Sequence, residues 1–408
     1  MKIRSITCFY TPSTPESSQQ LDDLAQFSQQ LETSLVAAGM DVQSRRLATT
    51  PFPTYTSALS DSETIRLIQS LERAAKQHGF AYLSCGPATP DAPESYARIP
   101  ALLAATQDVF FTAVLSDIHQ MYPFAAILAA EIIVKTSTIT PDGFANLRFS
   151  ALANVPAGAP FLPAAYHQPG TPPAFSLAIE CADLVLSSFQ GQTSLASARR
   201  LMLSRLESAA DAIEAVIKTV PDQDKFQFLG FDFSPAPFPQ NWCSLGGAVE
   251  AVGSDRIGPA GSVAAAAVIA DTLDQGNWKR AGFNGLMLPV LEDSVLAARA
   301  AEGILTVKDL LLYSAVCGTG LDTVPLAGDV TKEEIAALLL DVSALSVRLR
   351  KPLTARLMPI PGKKAGEETN FEFDFFANSR VMPLVSQRVQ APLNGTEPVP
   401  LAPKYSYR

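Results

Sequence analysis

The sequence predicts an α/β protein, an open sheet or a barrel of about ten strands in a single large domain, and two observations predict it. Short apolar runs alternate with longer amphipathic ones along all 408 residues. Several of the short runs are apolar on both faces, as parallel strands covered by helices must be. A chain of this length that is 47% hydrophobic can bury one large core or two ordinary ones.

Taken in order, residues 3–9 read as a strand, 21–38 as a helix closed by Gly39, 42–47 as a strand and 63–77 as a helix opened by Asp61 or Ser62. Further strands are expected at 80–84, 109–115, 147–153, 175–179, 226–233, 283–288 and 353–358, with helices such as 124–135 and 194–218 between them. The last third is punctuated most legibly. Asp293 is placed to cap a helix over 294–301 that ends at Gly303, and Thr306 to cap one over 307–316. Thr331 with Glu334 forms a capping box for a helix over 332–349, stopped by Lys351-Pro352. Residues 156–173, rich in Pro and Gly, interrupt the pattern and predict a surface loop or a lid over the barrel mouth. The domain is expected to span 1–386, with 387–408 an extended tail lying along the surface or on a neighbouring subunit.

Charge and cysteines narrow the function classes. A net charge of -9 with a pI near 5.0 leaves no basic stripe, which argues against nucleic acid. No apolar window reaches the length of a membrane span and MKIRSITCFY reads as an amphipathic strand, so a soluble, cytoplasmic protein is expected. Five cysteines without a CxxC argue against a disulfide framework or a structural zinc site.

The densest chemistry lies at 285–329, where Glu292, Asp293, Cys317, Asp322 and Asp329 crowd into one Gly- and Pro-punctuated stretch. Acidic groups are brought together only where a proton, a cation or a basic side chain sits between them. Glu292 and Asp293 fall where the strand expected at 283–288 passes into a helix, and ligands of parallel α/β folds sit at carboxyl ends of strands. Glu292, Asp293, Asp322 and Cys317 are the catalytic candidates. Asp293 is equally a helix cap, and Cys317 equally a small buried residue at a helix end. Glu292, Asp322 and Asp329 offer oxygen ligands for Mg²⁺, Mn²⁺ or Ca²⁺ if their turns converge. Lys363 and Lys364 in PIPGKKAG suit an anion, or form a solvated turn. Arg148 and Arg356 sit inside apolar strand candidates, where an unpaired charge costs several kcal/mol, so each needs a carboxylate or a bound anion. Gly318 and Gly320 flank the cysteine and are grouped with these binding residues. GPAGS at 258–262 opens an Ala-rich helix and reads as an anion cradle or as tight packing with Ser262 as cap.

The strings PVLEDSVLAARAAEG, SAVCGTGLDTVPLAGD, KPLTARLMPIPGKKAG, SPAPFPQNWCSLGGAVEAVG and NLRFSALANVPAGAPFLPAAYH, with MKIRSITCFY and QSRRLATTPFP, resemble the domain of unknown function 711 family, also called uncharacterised protein family 0210. The similarity covers nearly the whole chain. It implies an α/β barrel of about ten strands similar to the pyruvate formate-lyase-like glycyl radical enzymes, and no established reaction. Cys317 matches the thiyl-forming cysteine of such enzymes. The C-terminal Arg-Val-x-Gly motif is broken, because Met382-Pro383 follows Arg380-Val381.

The expectation is therefore an enzyme acting on a small anionic molecule by lyase, isomerase or hydrolase chemistry without a glycyl radical, in a homo-oligomer, with or without a divalent cation. Its alternative is a barrel that binds a small ligand or serves in an assembly without catalysis.

Overall fold

The computed structural model describes residues 1–12, 16–316 and 319–403. They form a mixed α/β single domain built on an 11-stranded sheet. The strands are β1 (Lys2–Tyr10), β2 (Arg45–Thr49), β3 (Tyr82–Ala88), β4 (Val109–Ser116), β5 (Gln120–Met121), β6 (Phe149–Ala153), β7 (Ala174–Glu180), β8 (Gln227–Asp232), β9 (Gly320–Ala327), β10 (Leu353–Ile360) and β11 (Val399–Pro400). The main path runs β8-β7-β1-β2-β3-β4-β6-β10-β9. Strands β1, β2, β3, β4 and β6 are mutually parallel. They are flanked by two parallel pairs, β7-β8 and β10-β9, that run the other way.

Residues 283–288 form no regular strand, contrary to the sequence reading. Their neighbourhood touches both ends of the path by single parallel bridges, Phe231 to Arg280 at β8 and Pro289 to Asp322 at β9. Side chains replace the missing ladder. Asp232 accepts the N–H groups of Phe283 (2.8 Å) and Asn284 (2.9 Å), and Ser234 Oγ accepts that of Gly285 (3.1 Å). Besides the two-residue strands β5 and β11, the strand that sequence reading missed is β9, GLDTVPLA, whose Gly, Asp and Pro all disfavour a strand.

The caps fall largely where composition placed them. Thr331 and Glu334 make their box on the helix Lys332–Leu349, and Thr306 caps Val307–Ser314 in a box with Asp309. One cap moves: Ser60, not Asp61 or Ser62, opens Asp61–Gln77, boxed with Glu63. At the other end of the chain, β11 pairs with β5, so the tail is clipped to the β4-β5 corner.

Residues 156–173 lie at the surface only in part, at 156 and 168–172. Residues 158–165 are buried, and a buried loop must have its carbonyls satisfied. Strand hydroxyls do this. Thr7 donates to Pro160 O (2.7 Å), Ser84 to Ala165 O (2.7 Å) and Ser176 to Gly158 O (2.9 Å). The loop is thus stitched to β1, β3 and β7 through small polar residues that interrupt otherwise apolar strands.

Candidate functional site

Two β-bulges build the site. Opposite β7, Ile3 pairs with Ile179 and Ser5 with Ala178, so Arg4 is the extra residue of β1. Opposite β10, Leu321 pairs with Ala355 and Val324 with Leu357, so Asp322 and Thr323 of β9 face the single residue Arg356. A bulge breaks the two-residue alternation and re-aims a side chain, and here each one aims a charge. Thr323 takes φ +41°, a left-handed value that a β-branched residue adopts only under constraint.

The charges meet in one network. Arg356 donates from Nε to Asp322 Oδ1 at 2.5 Å and from Nη2 to Glu292 Oε1 at 2.7 Å. Arg4 donates to Glu292 Oε2 at 3.2 Å and to Glu180 Oε2, at the end of β7, at 2.7 Å. Phe375 lies under the Arg4 guanidinium, 5.5 Å from ring centroid to Cζ. Glu292, Asp322 and Arg356 are only 7%, 8% and 8% exposed. Burial, partly offset by Arg356 and reinforced by Glu292, holds the Asp322 carboxyl above the usual carboxylate range. Burial opposes the Arg356 charge, but Asp322 and Glu292 outweigh it and raise its pKa.

Arg4, Glu292, Asp322, Arg356 and Phe375 line a cavity of about 110 Å³ together with Arg46, Tyr82 and the loop residues Phe161 and Leu162. Arg46, at 7% exposure, hydrogen-bonds Ser44 Oγ through Nε at 3.0 Å and stacks on Tyr82 at 5.7 Å. Burial, and then the neighbouring Arg4, pull its pKa down to about 9, which leaves it charged at neutral pH. Arg4, Arg46, Tyr82 and Phe110 belong to the amino ends of β1 to β4. The site therefore lies at the amino ends of the central parallel strands, with Glu292 just past the segment 283–288 as the sequence placed it.

Of the predicted residues, Glu292, Asp322 and Arg356 come together and the other described ones do not. Asp293 is fully buried beside the site, where it caps the helix Ser294–Ala301 and supports the start of Leu245–Ala251. It accepts from Val295 and Leu296 in its own helix and from Ser244 Oγ, Leu245 and Gly246 in the next. Asp329 is exposed beyond the end of β9, so the expected trio for a divalent cation is not assembled, and Arg356 bridges its other two members. Among the described residues no three His, Cys, Asp or Glu are grouped to hold a metal ion.

Arg148 caps the helix Glu94–Ala104, donating to the carbonyls of Leu103 (2.8 Å) and Thr106 (3.0 Å), so carbonyls meet its need for a partner. Lys363 donates to Glu368 O at 2.8 Å in an outer turn, and Lys364 is exposed. Gly320 is needed for close approach, since a Cβ there would lie 2.2 Å from Thr354 O. Cys317 and Gly318 lie outside the described residues. The GPAGS segment packs tightly, with Gly258 N–H donating to Tyr313 (2.9 Å) and Ser262 (3.2 Å).

Sequence reading missed Arg4, Arg46, Glu180 and Tyr82. One signal was present: adjacent Arg45 and Arg46 in a strand must face opposite ways, and Arg45 pairs outside with Glu32 at 2.9 Å.

Fold and site together define a mixed α/β protein with a charge-lined cavity. The chain belongs to the family described as Uncharacterised ACR (DUF711), whose family model matches residues 1–378. It is similar to a UPF0210 protein of Pyrobaculum aerophilum, 32% identical over 345 residues that cover 81% of this chain and 76% of the relative. It is also similar to a UPF0210 protein of Methanopyrus kandleri, 28% identical over 365 residues, with 85% and 80% covered. These names state no activity. No helix among the described residues is long and apolar enough to cross a membrane.

Proposed function

We propose that the cavity binds a small anionic molecule and that Glu292 and Asp322 act on it as base and acid, in lyase, isomerase or hydrolase chemistry without a glycyl radical. One observation carries this reading: two carboxylates, bridged by one arginine, line the same buried cavity while burial raises the Asp322 pKa. Paired carboxyl groups whose environments differ divide into a proton donor and a proton acceptor. Asp322, whose hold on a proton burial strengthens, would donate, and Glu292, held between Arg356 and Arg4, would accept.

On this reading the sheet is a barrel of the pyruvate formate-lyase-like kind. Support comes from the segment that bridges β8 and β9 through Arg280 and Pro289. The bridges give it the same direction as β8 and β9, which would make it the remaining stave of a second five-stranded block. A second reading, a binding protein without catalysis, is favoured by the fact that both carboxylates are already engaged by arginines.

The test incubates the purified chain with mixed small carboxylic acids and follows conversion by NMR. Glu292→Gln and Asp322→Asn are each expected to slow turnover by about 10²-fold or more. Conversion unchanged in both variants sinks the acid/base assignment. Binding without conversion by the wild type selects the second reading.

A further inference from the structure

Three guanidinium groups and two carboxylates line the cavity: Arg4, Arg46 and Arg356 against Glu292 and Asp322. Arg356 is engaged by both of those carboxylates, and Arg4 by Glu292 and by Glu180, which stands outside the lining. Arg46 is different. Its Nε donates to the Ser44 hydroxyl and its face rests on Tyr82, but among the described residues no carboxylate pairs with it and its two terminal nitrogens have no hydrogen-bond partner. A guanidinium that is more than nine-tenths buried and faces a cavity with no carboxylate in contact, Glu292 acting on it only from a distance and outweighed by burial and Arg4, is costly. Arg45 next to it shows the ordinary solution, an ion pair with Glu32 on the outer face.

We propose that Arg46 is the anchor for the carboxylate of the ligand, and that the ligand is a short monocarboxylic acid with an apolar body. This rests on the reading that the cavity takes a small anion. The planar fork of two free terminal nitrogens matches a carboxylate bidentately. Among the described residues, Arg46 is the guanidinium of the wall that no carboxylate pairs, so one carboxylate of the ligand supplies the missing partner. A dianionic phosphate would bring a second negative charge against Glu292 and Asp322.

Size and walls fix the body. A cavity of about 110 Å³ is smaller than the roughly 150 Å³ that admits benzene, and Phe110, Phe161, Phe283 and Met287 line it. A chain of a few carbons therefore fits the space that Arg46 shares with Glu292 and Asp322.

The test uses the full chain, with butyrate as probe and inorganic phosphate as comparator, by calorimetric titration and thermal melting. Arg46→Met keeps the volume and removes the charge. It is expected to raise the melting temperature of the ligand-free protein, because an unpaired buried charge is gone, and to weaken butyrate binding by about 10-fold or more. Arg46→Lys, a point charge without the fork, is expected to fall between the two, and phosphate is expected not to compete. Equal butyrate affinity in wild type and Arg46→Met overturns the proposal, as does absence of butyrate binding to the wild type at millimolar concentration. Phosphate that binds wild type more tightly than butyrate overturns the ligand class. The acid/base reading fails separately, by turnover that survives Glu292→Gln and Asp322→Asn, whatever Arg46 does to binding.

Discussion

Arg4 and Glu292 stand 288 residues apart in the chain and 3.2 Å apart in space, and Arg4 reaches its partner because it is the extra residue of a bulge. Glu292 is shared: Arg4 takes one oxygen and Arg356 the other. Neither arginine is therefore independent of its neighbour. In a double-mutant cycle of Arg4→Met and Arg356→Met, a coupling energy of about 0.5–3 kcal/mol is expected from denaturant unfolding. Strictly additive losses would show that Glu292 does not couple them.

Arg356→Met alone strands the buried carboxylate of Asp322 and leaves Glu292 with Arg4 as its partner. The expected loss is about 3–5 kcal/mol, the usual penalty for leaving charge unpaired in an interior. Urea unfolding of the variant measures it, and a loss under about 1 kcal/mol would mean that water reaches the network freely.

Asp293 separates structure from function. Replacing it with Ala removes the cap of its own helix, worth about 1–2 kcal/mol, and leaves the N–H groups of Leu245 and Gly246 and the hydroxyl of Ser244 without its carboxylate. Stability is expected to fall by about 2–4 kcal/mol, while ligand affinity of the folded variant stays at the wild-type value. A selective loss of affinity without loss of stability would return Asp293 to the list of catalytic groups.

Gly320 and Gly303 make a matched pair. Both have positive φ, +95° and +76°, but a Cβ at Gly303 meets nothing within 4 Å, whereas at Gly320 it meets the backbone of β10. Gly303→Ala is expected to cost about 1 kcal/mol from conformation alone, and Gly320→Ala at least about twice that through the added clash. Equal costs would show that β9 and β10 separate easily at this point.

His78 supplies a pH-dependent term. The carbonyl of Ala74 raises its pKa most; burial opposes this, and Asp22, with Oδ1 at 2.6 Å from Nε2, adds to the rise. Because the folded pKa lies above the unfolded one, the stabilisation is fully present below the unfolded value of about 6.5 and is lost as pH rises through the folded value. His78→Gln is therefore expected to lower the melting temperature at pH 5.5 and to leave it nearly unchanged at pH 9. Unfolding curves at both pH values decide it. A loss that is equal at both would assign His78 to packing instead.

Much of the architecture was legible because it is written locally. Thr331 with Glu334, Thr306 and Asp293 announce their helices through side chains that must accept particular N–H groups. The need of Arg356 for carboxylate partners followed from its place in an apolar strand. What was not legible depends on register. A period-two reading of KIRSITCFY sets Arg4 on the face of Ile6 and Cys8, and only the bulge opposite Ile179 and Ala178 turns it inward beside Ser5. Strand β9 hid for a related reason, since Gly320, Asp322 and Pro325 suit a tight approach, a bulge and a site better than a ladder. Arg148 read like Arg356 and differs from it only because the end of a helix lies within its reach.

The order in which the network is drawn from the chain has a consequence for biosynthesis. Its members are residues 4, 46, 180, 292, 322 and 356, so the first arginine leaves the ribosome long before the last partner is made. Until β10 is added, Glu292 and Asp322 have no Arg356 between them, and the early strands carry Arg4 and Arg46 toward an interior that does not yet exist. A nascent chain can form local helices and the β1 to β4 pairings at once, but the charged centre closes only by contacts of very long sequence separation, which form slowly. Chains released before residue 356 would hold a partly built sheet in which Asp322 has no arginine, a form that proteases and chaperones distinguish from the finished protein.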